Sequence, residues 1–212
     1  MRRTLSLLAC LTLFVSPALA GCEGLSTLSP AETVAPANLG DLKVRAESHA
    51  DSYQREDFGS AWKDVDRNGC GQRDDVLARD LKNVKRKGRC TVVSGTLTDP
   101  YTGEKVTFRK AKAAQVQIDH RVALSEAWRS GAWAWGADRL ERFANDLDNL
   151  TASAGAVNNA KSDYDAANWL PDGASRRCSY AKKVIAVKEK WSLSVDRAEA
   201  AALSRAIDKC PA

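Results

Sequence analysis

The stretch Gln115-Val116-Gln117-Ile118-Asp119-His120-Arg121-Val122-Ala123-Leu124, "QVQIDHRVAL", decides how the rest of the chain is read. Val116 and Ile118 alternate with Gln115, Gln117 and Asp119, the period of a half-buried strand, and Val122 to Trp128 then takes up a helical spacing. The change of period falls at Asp119-His120. A carboxylate and an imidazole therefore stand at a strand end, where side chains leave a rigid support. His120 is one of two histidines in 212 residues. A single histidine is most often a satisfied structural residue, so this pair gains meaning only from its surroundings.

Working outward, "CTVVSGTLTDPYTGEKVTF" carries two β-rich runs, Thr91-Val92-Val93 and Lys105-Val106-Thr107-Phe108. The turn signals Asp99-Pro100 and Thr102-Gly103 break them, which predicts a hairpin. Further upstream, Val76 to Leu81 reads as amphipathic. Asp41 to Phe58 lacks proline and mixes Leu42, Val44 and Ala46 with charges, which predicts a helix with a poorly defined face and His49 on its surface. Downstream, "AVNNAKSDYDAANWL" begins helically and stops before Pro171, while "CSYAKKVIAVKEKW" and "DRAEAAALSRAIDKC" read as terminal helices. The expected fold is α+β, a helix-rich single domain over residues 41–212.

The N-terminus reads as an export signal over residues 1–21: Arg2 and Arg3 precede an apolar run, Leu5 to Val15, too short to span a bilayer stably. Leu19-Ala20-Gly21-Cys22 resembles a bacterial lipobox, which makes Cys22 the lipid attachment point. A conventional cleavage site among small residues is the alternative and needs no cysteine. Residues 22–40, small, polar and proline-containing, read as a flexible tether. The location this implies is the bacterial cell envelope, lipid-anchored and extracytoplasmic, or secretion if Cys22 is not lipidated. Discounting Cys10 and Cys22, the six cysteines leave Cys70, Cys90, Cys178 and Cys210, an even set in an exported chain. Of the three pairings, Cys70 with Cys90 and Cys178 with Cys210 each close a local loop. Zinc is the weaker reading, because no C-x-x-C pair exists. Removing Arg2 and Arg3 leaves 30 basic residues against 27 acidic ones, a net charge of +3 that permits an anionic partner without demanding one.

Asp119-His120, Asp148-Asn149-Leu150, Asn158 and Lys161 follow one another in order. On "IDHRVAL", "FANDLDNLTA" and "NNAKSDYDAANWLP" the chain resembles the HNH, or ββα-metal, endonucleases, and within them the exported DUF1524-like, GmrSD-type C-terminal branch. "DVDRNGC", "VLARDL", "DPYTGE" and "AWRSGAW" extend the likeness over about residues 53–210. The resemblance implies a fold built around a ββα-metal motif and cleavage of phosphodiester bonds in DNA, or in RNA, with low sequence specificity.

The chemistry accounts for these residue types. An attacking water must lose a proton, and a neutral imidazole suits that task near neutrality, which makes His120 the expected general base. Asp119 and Asn158 offer oxygen ligands to a hard divalent ion, Mg²⁺ or alternatively Mn²⁺. The resemblance gives Asn149 a supporting part, hydrogen-bonding across the motif to hold the loop that orients His120. Lys161, three residues beyond Asn158, shares its helix face and is expected to meet the same phosphate. Asn158 is also a plausible helix cap and Lys161 a plausible surface charge. Many HNH enzymes have His at the position of Asn158 and Pro at that of Ala123; the amide argues against tight zinc binding.

Asp64, Asp66, Asn68 and Gly69, with Asp75, have the spacing of a calcium loop, against which stands an Asx-rich turn delivering Cys70 to its disulfide. Trp128, Trp133 and Trp135 are expected in the core, with base stacking as the alternative. "KNVKRKGR" at 82–89, with Arg109, Lys110 and Lys112, forms the best phosphate-attracting patches or else a solvated face. A monomeric, envelope-anchored, metal-dependent nuclease is the leading reading. A non-catalytic envelope lipoprotein that uses the scaffold for binding is the alternative.

Overall fold

The computed structural model describes residues 33–34 and 39–211. The expected signal peptide, Cys22 and most of the tether lie outside the described residues. Strand β1, Thr33–Val34, pairs antiparallel with β2, Lys43–Val44. Leu39 is fully buried, and Leu42 and Val44 join it in the core. The stretch read as tether to residue 40 therefore ends inside the domain.

The helix expected over Asp41–Phe58 does not form. Leu42 and Val44 are spaced by two, and that spacing wins: Arg45 N–H donates to the Val195 carbonyl and Val195 N–H to that of Lys43, which makes the segment a sheet edge. Two short 3₁₀ turns follow, Ala50–Ser52 and Arg55–Phe58. They are held by Phe58, which is 1 % exposed and packs with Trp128 and Phe143. His49 is exposed but sits outside any helix, at a left-handed φ of 61°, and stacks on Trp133 with ring centroids 3.8 Å apart. Of the three tryptophans, Trp128 is core, Trp135 packs on Phe143 and Trp191, and Trp133 is exposed.

Helix α1, Gln72–Asp80, leads into a three-stranded antiparallel sheet of β3 Leu81–Lys87, β4 Thr91–Thr98 and β5 Lys105–Arg109, with β4 central. The hairpin expected from the β-rich runs is β4–β5. The basic run beside it is also a strand, because Leu81 is buried against β4 while its charges stay in solvent. Strand β6, Val116–His120, follows a 3₁₀ segment at Lys110–Gln115. After α2, Leu124–Arg129, and α3, Ala137–Ala144, the chain returns as β7, Leu150–Ala154, antiparallel to β6 with His120 opposite Leu150. Helix α4, Gly155–Lys161, begins at once, and α5, Ala174–Trp191, and α6, Arg197–Asp208, close the fold.

One apolar cluster joins the helices, and a second joins α1 and β4 to β6 and β7 through Val76, Leu97, Phe108, Ile118 and Leu150. Burying each such large side chain contributes about 1.5–3 kcal/mol relative to exposure. Disulfides link Cys70 to Cys90, tying the loop before α1 to the β3–β4 turn, and Cys178 to Cys210, tying α5 to the end of α6. Each constrains the unfolded chain by about 3 kcal/mol in the loop-entropy view. The result is a mixed helix and sheet domain in which the described residues form one unit.

Candidate active site

Strand β6 delivers Asp119 and His120 to the floor of a cleft of about 500 Å³, which Tyr53, Arg55, Asn158 and Asp163 also line. Asp119 is 4 % exposed and its two oxygens are held from behind. Oδ2 accepts from the Tyr101 hydroxyl at 2.5 Å and Oδ1 from Lys161 Nζ at 3.0 Å. Lys161 also donates to the His120 carbonyl at 2.9 Å. This ammonium has no exposed surface. The expectation that Lys161 meets a phosphate is thus corrected: the last turn of α4 points its side chain under the β6 end, where pairing with Asp119 offsets the cost of burying both charges.

Tyr101 arrives through turn chemistry. Asp99 Oδ1 accepts from the backbone N–H of Tyr101 and Thr102, at 2.8 and 2.9 Å. Asp99 Oδ2 accepts from Ser153 Oγ and Ala154 N–H, which pins the β4–β5 turn to β7. Gly103 completes the turn at φ +80°, a region that glycine enters without strain. Burial, then the neighbouring Asp119 charge, push the Tyr101 hydroxyl well above its ordinary range, so it stays a donor.

His120 Nε2 lies 2.8 Å from the Ala144 carbonyl. A carbonyl can only accept, so Nε2 carries the proton and Nδ1 keeps a free lone pair. Burial lowers the imidazole to about 4 despite the opposing Ala144 carbonyl and Asp119, so the ring is neutral near pH 7. Asn149 is fully buried and clamps the loop after His120: its Oδ1 accepts from Val122 N–H at 2.9 Å and its Nδ2 donates to the Val122 carbonyl at 3.0 Å.

Asn158 stands on α4, brought close because the helix starts at Gly155, where a Cβ would lie 2.3 Å from the Ala114 carbonyl oxygen. Its Nδ2 donates to Gln117 Oε1 at 2.7 Å, which leaves the amide oxygen as the group offered to the cleft. Asp119, His120, Asn149, Asn158 and Lys161 are thus gathered around one strand pair and its helix.

Sequence reasoning missed Tyr101, although "DPYTGE" was legible as a turn, and missed Arg55 and Tyr53, which carried no local signal. Arg55 lines the cleft with Tyr53, and its charge helps to keep His120 neutral. It makes no ion pair with another described residue. Asp64, Asp66, Asn68 and Asp75 come together in an Asx-rich turn. Asn68 Nδ2 donates to Asp66 and Asp75, and Asn68 Oδ1 accepts from Cys70 N–H, which positions the disulfide. Among the described residues, the acidic trio whose oxygens converge is Glu47, Glu126 and Asp165.

The chain belongs to the family described as GmrSD restriction endonucleases, C-terminal domain, whose model matches residues 71–206. It is also 38 % identical, over 183 residues, to an uncharacterized secreted protein of Arthroderma benhamiae, an alignment covering 85 % of this chain and 87 % of that protein.

Proposed function

We propose that this protein is an exported, metal-dependent endonuclease of the HNH type, in which β6, β7 and α4 act as the ββα-metal motif and DNA is the principal substrate. The observation that carries the reading is the orientation of His120. Its Nε2 proton is committed to Ala144, which leaves Nδ1 as the basic nitrogen of a residue that lines a polar cleft with Asp119 and Asn158. That is the arrangement a general base for water attack on phosphorus requires.

The donor set fits a hard divalent ion held loosely. Asp119 and Asn158 supply oxygen, and a carboxylate oxygen that accepts one hydrogen bond keeps a second lone pair. Lys161 cancels the Asp119 charge, so affinity in the absence of substrate should be weak and a phosphate oxygen should complete the site. Mg²⁺ or Mn²⁺ suits this set and zinc does not. When bound, the ion stabilises negative charge on the phosphate and the leaving oxygen.

The chain's own residues do the rest. His120 Nδ1 takes the proton of the attacking water. Asn149 holds the loop that orients it. Tyr101 and Lys161 fix the Asp119 carboxylate, and Arg55 offers its guanidinium to the non-bridging oxygens. Contacts to phosphate rather than to base edges give low sequence specificity.

Two disulfides and the secreted relative support an extracytoplasmic site of action. Lipidation at Cys22 would keep the enzyme at the envelope. Purified protein should nick plasmid in Mg²⁺ and stop in EDTA, with RNA cut more slowly, and Cys22→Ser should move the activity from membrane to soluble fractions. Binding without cleavage under every metal condition would leave the non-catalytic binding module in its place.

A further inference from the structure

The net charge of the chain conceals a segregated one. Residues 82–112 hold nine Lys or Arg against Asp99 and Glu104, a net of +7, while the whole chain is +5, so everything else together is −2. Asp99 is moreover buried and spent on its turn. Strand pairing brings these sequence-separated cations onto one surface. Ser94 of β4 is flanked by Lys85 of β3 and Arg109 of β5, and Thr96 by Lys82 and Thr107; Thr98 faces Lys105 of β5. Residues opposite one another in antiparallel strands point to the same side, and positions 94, 96 and 98 share a face. The other face, with Leu81, Gly95, Leu97 and Phe108, is the buried one. The outward face is therefore a lattice of cations and hydroxyls, the two side-chain types that bind phosphate oxygens. Lys82, Lys85, Lys105 and Arg109 are all exposed, and none forms an ion pair with a described residue.

The face has a direction. Its inner end is Thr98, next to the Asp99–Gly103 turn that places Tyr101 on Asp119. Its outer end is the β3–β4 turn with Arg86, Lys87 and Arg89, stapled through Cys90 to Cys70. Strand β4 has eight residues. At about 3.3 Å per residue it runs about 25 Å from the candidate active site to the basic tip, equal to about seven base pairs at about 3.4 Å each.

We propose that the outward face of the three-stranded sheet is a track for the nucleic-acid backbone on one side of the scissile bond. The proposal rests on the nuclease reading of the cleft and adds to it the footprint and salt dependence of substrate binding. A track implies that duplexes shorter than about eight base pairs on that flank bind weakly, because the phosphates that would reach the outer cations are missing.

The test uses the full chain carrying His120→Ala, so that DNA is bound without being cut, with and without Lys82→Gln, Lys85→Gln and Arg109→Gln together. Binding to labelled duplexes of about 30 and about 8 base pairs is measured across a salt series. The triple variant should bind the long duplex about tenfold or more weakly, lower the slope of log K against log salt by about 0.9 for each lost contact, and narrow the gap between the two lengths. Unchanged affinity and slope in a triple variant that melts like its parent would overturn the track. If the triple variant melts early, Lys82→Gln and Lys105→Gln singly should each still lower the slope by about 1. Loss of binding to phosphatidylglycerol vesicles with duplex binding intact would assign the face to lipid and overturn it as well. Plasmid cleavage by the unsubstituted chain is scored separately, so that a failed track leaves the nuclease reading standing, and a failed nuclease shows itself as no cleavage whatever the binding.

Discussion

Lys161 and Lys188 are both without exposed surface, yet they are built into different kinds of network. Lys188 donates to Glu126, Glu199, Ser130 and the Ser194 carbonyl, so every partner is internal and α2, α5 and α6 are tied together through one ammonium. Burial works against its charge, and Glu126 and Glu199 outweigh that, holding the ammonium above its ordinary range. Lys161 meets one carboxylate, and that carboxylate lines a cleft. A network in which one ammonium meets several buried partners on three helices serves packing. One open on a single side holds a charged group in place for something outside the protein. Buried ion pairs seldom stabilise relative to apolar packing, so the open network is the one that calls for a function.

The largest effects should come from breaking either network. Lys188→Met strands two buried carboxyl groups and should lower unfolding stability by about 3–5 kcal/mol, read from urea melts, with cleavage per folded molecule unchanged. Lys161→Met should cost about 3 kcal/mol and also depress cleavage, because Asp119 loses the donor that fixes it. Cleavage at the full rate by folded Lys161→Met protein would erase the distinction. A smaller effect is expected at the rim: Arg55→Ala should slow cleavage by about tenfold or more while stability stays within about 0.5 kcal/mol, since the side chain is exposed. Addition of guanidinium at millimolar levels should restore part of the rate.

The smallest effect concerns the closed network and pH. Burial pushes Glu199 up to about 8 from its ordinary 4.5, so the folded protein keeps a proton that the unfolded chain has lost. The stability this gives is full below about pH 4.5 and is lost as the pH climbs through about 8. The wild-type protein should therefore lose stability relative to Glu199→Gln as the pH climbs from 5 to 8, read as the difference between the two melting temperatures at each pH.

Much of this comparison was open to a reading of the residues. The alternation Val116–Ile118, the β4–β5 runs and the terminal helices depend on local period, and local period survives folding. The disulfide partners followed from loop lengths. What stayed hidden was set by distant packing. Leu42 and Val44 form a sheet edge only because Val195, about 150 residues away, completes it. Lys161 looks like a surface charge until the β6 end is laid across it. Tyr101 sits in a recognisable turn, but nothing nearby names Asp119 as its target. Arg55 reaches the cleft because Phe58 anchors its 3₁₀ turn, an interaction with no sequence period at all.

As the general base of a nuclease, His120 Nδ1 should be indispensable to cleavage and dispensable to folding. Plasmid nicking by wild-type and His120→Ala protein in Mg²⁺, with melting curves recorded on the same samples, tests it most directly. Equal melting, wild-type nicking that EDTA abolishes, and a rate lower by about 10²–10⁴-fold in the variant are expected. A folded His120→Ala protein that nicks at the wild-type rate would contradict this role.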